Sequence, residues 1–378
     1  MTYRVPFNKP TSAPGASAFV SEALASGRLS GNGPFTRACE TLLERLTGAH
    51  RALLTNSCTA ALEMSALLID AKPGDEVIVP SFTFVSTANA FASHGLRPVF
   101  ADCRHDTLNV DERTIAPLIG PRTKAIVVMH YGGVACDMDP ILAAAREHRL
   151  LVVEDNAHGL FGGYKGRPLG TMGALATQSF HETKNVTCGE GGALLVNDRS
   201  LLSRAEVIRE KGTNRSRFFR GEVDKYTWVD FGSNHLPSEL QAALLRAQLE
   251  YHEAVQQKRA AIWHRYDSEL RVWAHANDVR LPVVPADCKH PSHLYYVVLP
   301  TVAERPRLIE HLKRQGILAV FHYVPLHTSP MGRRLGGAPG GCPVAGDISE
   351  RLLRLPFYTD LSSEDQAFVV DVVREFRV

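Results

Sequence analysis

Apolar and polar positions change rhythm repeatedly between residues 50 and 200. Short apolar runs at 52–54, 76–80, 99–100, 125–129, 150–153 and 193–196 read as strands. Among them, apolar residues recur at helical spacing: one helix opens near Cys58, another near Phe84, and others cover about 112–119 and 140–148. Such alternation predicts βαβ units and a mostly parallel sheet covered on both faces, an α/β fold. Ligands of such sheets bind beyond the carboxyl ends of the strands. Chemistry is therefore expected just after each run.

The flanks follow other patterns. Residues 1–36 are rich in Gly, Pro and Ser, with a loop at 26–34, and a helix is predicted over 35–46. A long helical stretch at 238–270 leads to a smaller α+β region, with strands at 294–299 and 318–321 and helices at 305–315 and 363–376. This divides the chain into an N-terminal arm (1–36), a large domain (37–245) and a small C-terminal domain (246–378). No internal repeat is present.

Composition narrows the partners. The 378 residues are 44% hydrophobic with a net charge of +2, so a packed globular chain is expected, with neither nucleic acid nor an anionic membrane as main partner. The seven cysteines are odd in number and include no CxxC pair, so neither a disulfide framework nor a metal site is expected. A reducing cytoplasm suits them. The N-terminal residues carry no apolar stretch of signal-peptide type, and no run is long and apolar enough to span a bilayer.

Three segments carry candidate chemistry. The strand at 150–153 ends in Glu154-Asp155-Asn156-Ala157-His158, two acids followed by a histidine. An acid there either caps a helix or serves a ligand. Ser179-Phe180-His181-Glu182-Thr183-Lys184-Asn185 is a polar turn, followed by Gly189-Glu190-Gly191-Gly192. A lone lysine is usually a solvated charge, but glycines permit close backbone approach, and Ser179 and His181 are donors suited to a phosphate. Thr55-Asn56-Ser57-Cys58-Thr59 joins a strand to a helix N-terminus, which either is simply capped or binds an anion. Together the three supply what pyridoxal phosphate requires: an amine to form a Schiff base and shuttle a proton, a carboxylate for the pyridinium nitrogen, and a phosphate cradle.

Those segments, with Asn56 to Leu62, Pro80 to Ala90, Phe321-His322-Tyr323-Val324-Pro325-Leu326-His327 and Arg351-Leu352-Leu353-Arg354-Leu355-Pro356, resemble the DegT family of sugar-nucleotide aminotransferases over almost the whole chain. The resemblance implies the aspartate-aminotransferase fold (fold type I), pyridoxal phosphate as cofactor, and a homodimer whose active sites draw on both subunits. It implies that Lys184 carries the cofactor as a Schiff base and that Asp155 pairs with the ring nitrogen. Phe84 would stack on the ring, with His158 near its phenolic oxygen. Cys58, Thr59 and Ser179 would hold the phosphate, and Asn234 would reach the phosphate of the neighbouring subunit's cofactor.

Residues 209–228 are similar to the dTDP-4-amino-4,6-dideoxygalactose transaminases within that family. The implied substrates are glutamate and dTDP-4-dehydro-6-deoxyglucose, aminated at C4, with Gly31, His181, Arg215, Tyr226 and His322 as substrate contacts. Arg209, Arg215, Arg217, Arg220, Lys211 and Lys225 form a basic cluster whose forks suit a diphosphate, or else a solvated loop. Rival readings are a C3 enzyme, a C4 enzyme giving the other epimer, a dehydratase, and a regulator that merely binds the cofactor. The dehydratases bear histidine at the lysine position, which Lys184 argues against, and the chain has no spare segment for a DNA-binding domain.

Overall fold

The computed structural model describes residues 3–338 and 340–378. Its strands run in chain order β1 (Arg51–Thr55), β2 (Glu76–Pro80), β3 (Arg97–Ala101), β4 (Thr123–Met129), β5 (Leu151–Asp155), a short ribbon of β6 (Gly163–Tyr164) and β7 (Arg167–Pro168), β8 (Leu175–Ser179) and β9 (Gly192–Val196). Seven of these form one sheet in the order β1-β9-β8-β5-β4-β2-β3. The pairs β3–β2, β2–β4, β4–β5 and β5–β8 are parallel. β9 alone runs against its neighbours β8 and β1. Six strands thus end at one edge, and β9 begins there.

The strands alternate between two buried faces. Leu53, Val77, Val79, Val127, Val153 and Leu194 pack with Leu62 and Met64 of helix Cys58–Leu68. On the opposite face Ala52, Leu54 and Leu195 meet helices Pro34–Thr47 and Glu239–Glu250, and Ile78, Ile126, Val128 and Val152 meet helix Met138–Glu147. Burial on both faces is what continuous apolar runs dictate. Within this sheet the strand that the apolar pattern did not mark is β8. Its Thr177 and Gln178 are fully buried, so backbone pairing on both sides holds it rather than apolar content.

The predicted long helix is two, Glu239–Glu250 and His252–Ala276, parted at Tyr251. The second leads into a small core around Tyr266, Tyr295, Leu312 and Val370. There β10 (Cys288–Lys289) pairs with β6, and β11 (Tyr296–Val298) pairs with β12 (Leu352–Arg354). The segment expected as a strand at 318–321 makes only an isolated bridge, from Val320 to Arg354. Near the N-terminus, Val5 bridges Ile317 and joins the small core, while helix Ala16–Ala25 packs on Glu239–Glu250.

Candidate active site

The common edge of the six strands opens into a cavity of about 540 Å³. Cys58, Thr59, Phe84, Asp155, His158, Ser179, His181, Lys184 and His322 all line it. These residues lie up to 264 positions apart in sequence, from 58 to 322, and the sheet topology brings them to one place.

The turn after β1 is built around Ser57, whose hydroxyl caps helix Cys58–Leu68 by accepting from the Ala60 N–H at 3.0 Å. Gly192, at the start of β9, lies against this turn. A Cβ there would stand 2.4 Å from the Cys58 nitrogen and the Ser57 carbonyl carbon, so only glycine admits the approach. Cys58 sulfur lies 3.6 Å from the Thr177 hydroxyl, and burial pushes its thiol up to about 12, which keeps it protonated.

Glu154 and Asp155 end β5 and, as neighbours on a strand, point to opposite faces. Glu154 faces inward and accepts from the N–H groups of Gly170, Met172 and Gly173 at 2.6–2.8 Å and from His130 at 3.0 Å. Burial would raise its pKa, but these donors hold it below the ordinary carboxylate value. It is a structural acid. Asp155 faces the cavity. Its Oδ2 accepts from Thr87 at 2.7 Å and its Oδ1 from the Ala157 N–H at 3.2 Å. Burial nevertheless pushes its pKa up, because a charge there lacks a full counter-charge.

Lys184 follows β8 in the polar turn. Its amine has no hydrogen-bond or ion-pair partner among the described residues. Burial lowers its pKa from 10.5 to about 8, against the opposing pull of Cys58 and Asp155. His158 accepts the Gly132 N–H on Nδ1 at 3.3 Å, which leaves its proton on Nε2, 3.5 Å from the Tyr323 hydroxyl. Burial and the nearby charges of Lys184 and Arg354 keep this imidazole neutral. Phe84, at the N-cap of helix Val85–Ala92, is 56% exposed and presents its ring at the cavity mouth, 6.4 Å from Tyr323.

Gly31, Arg215 and Asn234 lie elsewhere. They line a second cavity of about 710 Å³, and Tyr226 lines neither. Tyr226 is exposed, edge-on to Phe218 at 5.8 Å. The single chain therefore does not bring these four to Lys184. The basic cluster is also less free than its sequence suggests. Arg209 is buried against Glu40, Arg217 pairs with Glu222, and Arg220 with Glu206 and Glu222. Among its arginines only Arg215 has no acid partner within the described residues; it lies 5.2 Å over the Phe219 ring.

The cavity also holds residues that sequence reasoning did not assign: Thr83, Tyr323, His293 and Arg354, with Thr87 behind Asp155. Four of these five stand in quoted motifs as ordinary helix, loop or strand positions, and only the fold shows that they converge.

An amine without a partner, a carboxylate with its oxygens fixed and a helix N-terminus approached through glycine fit pyridoxal phosphate. On this sheet they define a pyridoxal-phosphate-dependent aminotransferase of fold type I. Residues 14–374 match the model of the DegT/DnrJ/EryC1/StrS aminotransferase family. The spore coat polysaccharide biosynthesis protein SpsC of Bacillus subtilis is 35% identical over 364 residues, 94% of this chain and 92% of that protein. The aminotransferase TlmJ of Streptoalloteichus hindustanus superposes with a TM-score of 0.88 at 32% identity, over 99% of this chain and 97% of that one. Spr1654 of Streptococcus pneumoniae, in its PLP form, gives a TM-score of 0.89 at 26% identity, with 98% of each chain covered. The chain belongs to the DegT/DnrJ/EryC1/StrS family of sugar aminotransferases.

Proposed function

We propose that this protein moves an amino group from L-glutamate to C4 of dTDP-4-dehydro-6-deoxy-D-glucose, giving dTDP-4-amino-4,6-dideoxy-D-galactose and 2-oxoglutarate. The observation that carries the transferase chemistry is the partnerless Lys184 amine, lowered to about 8, in one cavity with Asp155. The choice of sugar rests on residues 209–228.

Bound here, pyridoxal phosphate supplies an electron-accepting ring and a carbon to which amines attach. Lys184 would hold the cofactor through its amine in the resting protein. Its free amine would be the base that takes the proton from the donor's α-carbon and returns one at the aminated carbon of the sugar. A pKa near 8 leaves a working fraction of free base at neutral pH. Asp155, its oxygens fixed by Thr87 and the Ala157 N–H, would pair with the ring nitrogen and keep it protonated. The Cys58–Thr59 turn and Ser179 would hold the phosphate, Phe84 would cover the ring and neutral His158 would lie at its side. The two half-reactions share one cavity, so ping-pong kinetics follow.

The protein acts as a homodimer in this reading. Phe219, Trp228 and Phe231 are 70%, 75% and 73% exposed on one segment, an apolar surface that a second copy would cover. That segment and Asn234 would then reach the partner's cavity, which reconciles the position of Gly31, Arg215, Tyr226 and Asn234 with a role in sugar binding. The protein works in the cytoplasm in this reading, which its seven free thiols suit. Among the described residues no helix is long and apolar enough to cross a membrane.

The test is purified protein with glutamate and dTDP-4-dehydro-6-deoxyglucose, the product's C4 configuration being read by NMR. An axial amine supports the proposal. An equatorial amine, an amine at C3 or no amination rejects the specific reaction.

A further inference from the structure

The Lys184 amine has no partner among the described residues, so nothing at the tip of the side chain aims it into the cavity. Its direction is set by the backbone of the turn 181–185. Inside that turn the Lys184 N–H donates to the His181 carbonyl at 2.9 Å, and His181 Nδ1 meets the Thr183 hydroxyl at 2.9 Å. The ties that leave the turn come from the next residue, Asn185, which is buried. Its Nδ2 donates to the Pro291 carbonyl at 2.8 Å and to Gln256 Oε1 at 2.9 Å. A further contact from outside, Asn8 to the Glu182 carbonyl, is 3.4 Å long.

A carbonyl only accepts, so the bond to Pro291 fixes which end of the Asn185 amide is nitrogen. Oδ1 therefore faces His293, whose Nδ1 lies 2.9 Å away and carries the proton of that bond. Burial, with His158 and Lys184 nearby, keeps the His293 imidazole neutral. Its tautomer is thus set by a residue adjacent to Lys184 in the chain.

His293 comes from the segment before β11, outside the seven-stranded sheet, and is itself firmly held. Ser292 is left-handed at φ 51°, a conformation that serine keeps only under constraint. Buried Arg259 supplies the constraint. Its Nε donates to the Ser292 carbonyl at 3.1 Å and its Nη2 to the His293 carbonyl at 2.5 Å. A cation buried without an acid is costly, and here it clasps the backbone on both sides of the His293 Cα.

We infer that His293 is a positioning residue for transamination: its Nδ1–H holds Asn185, and through Asn185 it fixes the turn that aims Lys184. The inference rests on the transaminase reading given above. The His293 ring also lies 4.3 Å from that of His158, at 31°, so action through His158 is the competing account.

Two readouts test it in the full chain. One is hydrogen exchange of the peptide covering 180–186, with and without cofactor. The other is the single-turnover reaction of loaded protein with glutamate. His293→Leu keeps the bulk and removes the donor. It should raise exchange in that peptide about fivefold or more and slow the glutamate step about tenfold, with half-saturating glutamate within about twofold of wild type. His293→Asn carries an amide nitrogen as many bonds from Cα as Nδ1, and should recover both readouts to within about threefold of wild type. Asn185→Ala cuts the same tie without touching the His158 contact and should match His293→Leu. The double variant should lose no more than either single one. Asn185→Ala also carries the test if His293→Leu does not fold. Wild-type exchange and rate in either folded variant overturn the inference. A loss confined to His293→Leu, or one that adds to that of Asn185→Ala, overturns it in favour of the His158 contact. A wild-type protein that takes up cofactor without reacting with glutamate ends the glutamate reading, while the exchange of peptide 180–186 still decides whether His293 holds the turn.

Discussion

Thr87 donates a 2.7 Å hydrogen bond to Oδ2 of Asp155 and in turn accepts from Thr83 at 2.8 Å. The three side chains form a relay that fixes the carboxylate before any ligand arrives. Replacing Thr87 by valine keeps the shape and removes the donor, a loss of roughly 1–2 kcal/mol at a charged acceptor. Turnover should fall about tenfold, with thermal stability little changed. Steady-state kinetics beside a melting curve check this, and undiminished turnover would show that the relay is idle.

Lys184→Ala should abolish transamination and the absorbance of the lysine-bound cofactor. Asp155→Ala should retain the bond to Lys184 but lower turnover by orders of magnitude, because the ring nitrogen loses its counter-charge. Spectra and single-turnover rates separate the two. A Lys184→Ala protein with full turnover ends the assignment.

The pH dependence has a defined sign. The Lys184 pKa falls from 10.5 to about 8 on folding, so the unfolded chain holds more protons between those values. In cofactor-free protein, the lysine's contribution to stability is therefore unfavourable below about pH 8 and improves as pH rises toward 10.5. A denaturant titration at several pH values should show wild type gaining on a Lys184→Met variant across this window. Parallel curves would mean that the amine is not perturbed.

Arg215→Ala should raise the KM for sugar nucleotide and spare the glutamate half-reaction. Phe231→Glu should shift the protein toward monomer in sedimentation and lower turnover with it. Activity retained by a demonstrated monomer would contradict a site shared between copies.

Much of the site was legible because its residues stand immediately after apolar runs, where the sheet must end: Asp155 after β5 and Cys58 and Thr59 after β1. Lys184 was legible through the glycines that follow it. Arg354 was not, since nothing in Arg351-Leu352-Leu353-Arg354 distinguishes a buried cation from a surface one until β12 is docked against the cavity. The basic cluster misled for a related reason. Glu206 and Glu222 are close in sequence to the arginines they neutralise, but Glu40, partner of Arg209, is 169 residues away. β8 escaped because its buried Thr177 and Gln178 are polar, and periodicity registers only apolar burial.

The reversed strand β9 has a mechanical consequence. Gly192 is paired with Thr55 on one flank and Ser179 on the other. The strand is thus a gauge that sets how far apart the turn bearing Cys58 and Thr59 and the turn bearing Lys184 stand. A slip of one residue along it would displace one turn against the other by about 3.3 Å, more than a hydrogen bond tolerates. Insertions should therefore be accepted in the exposed turn around Gly166 and rejected within Ala193 to Val196, whatever side chains they bring.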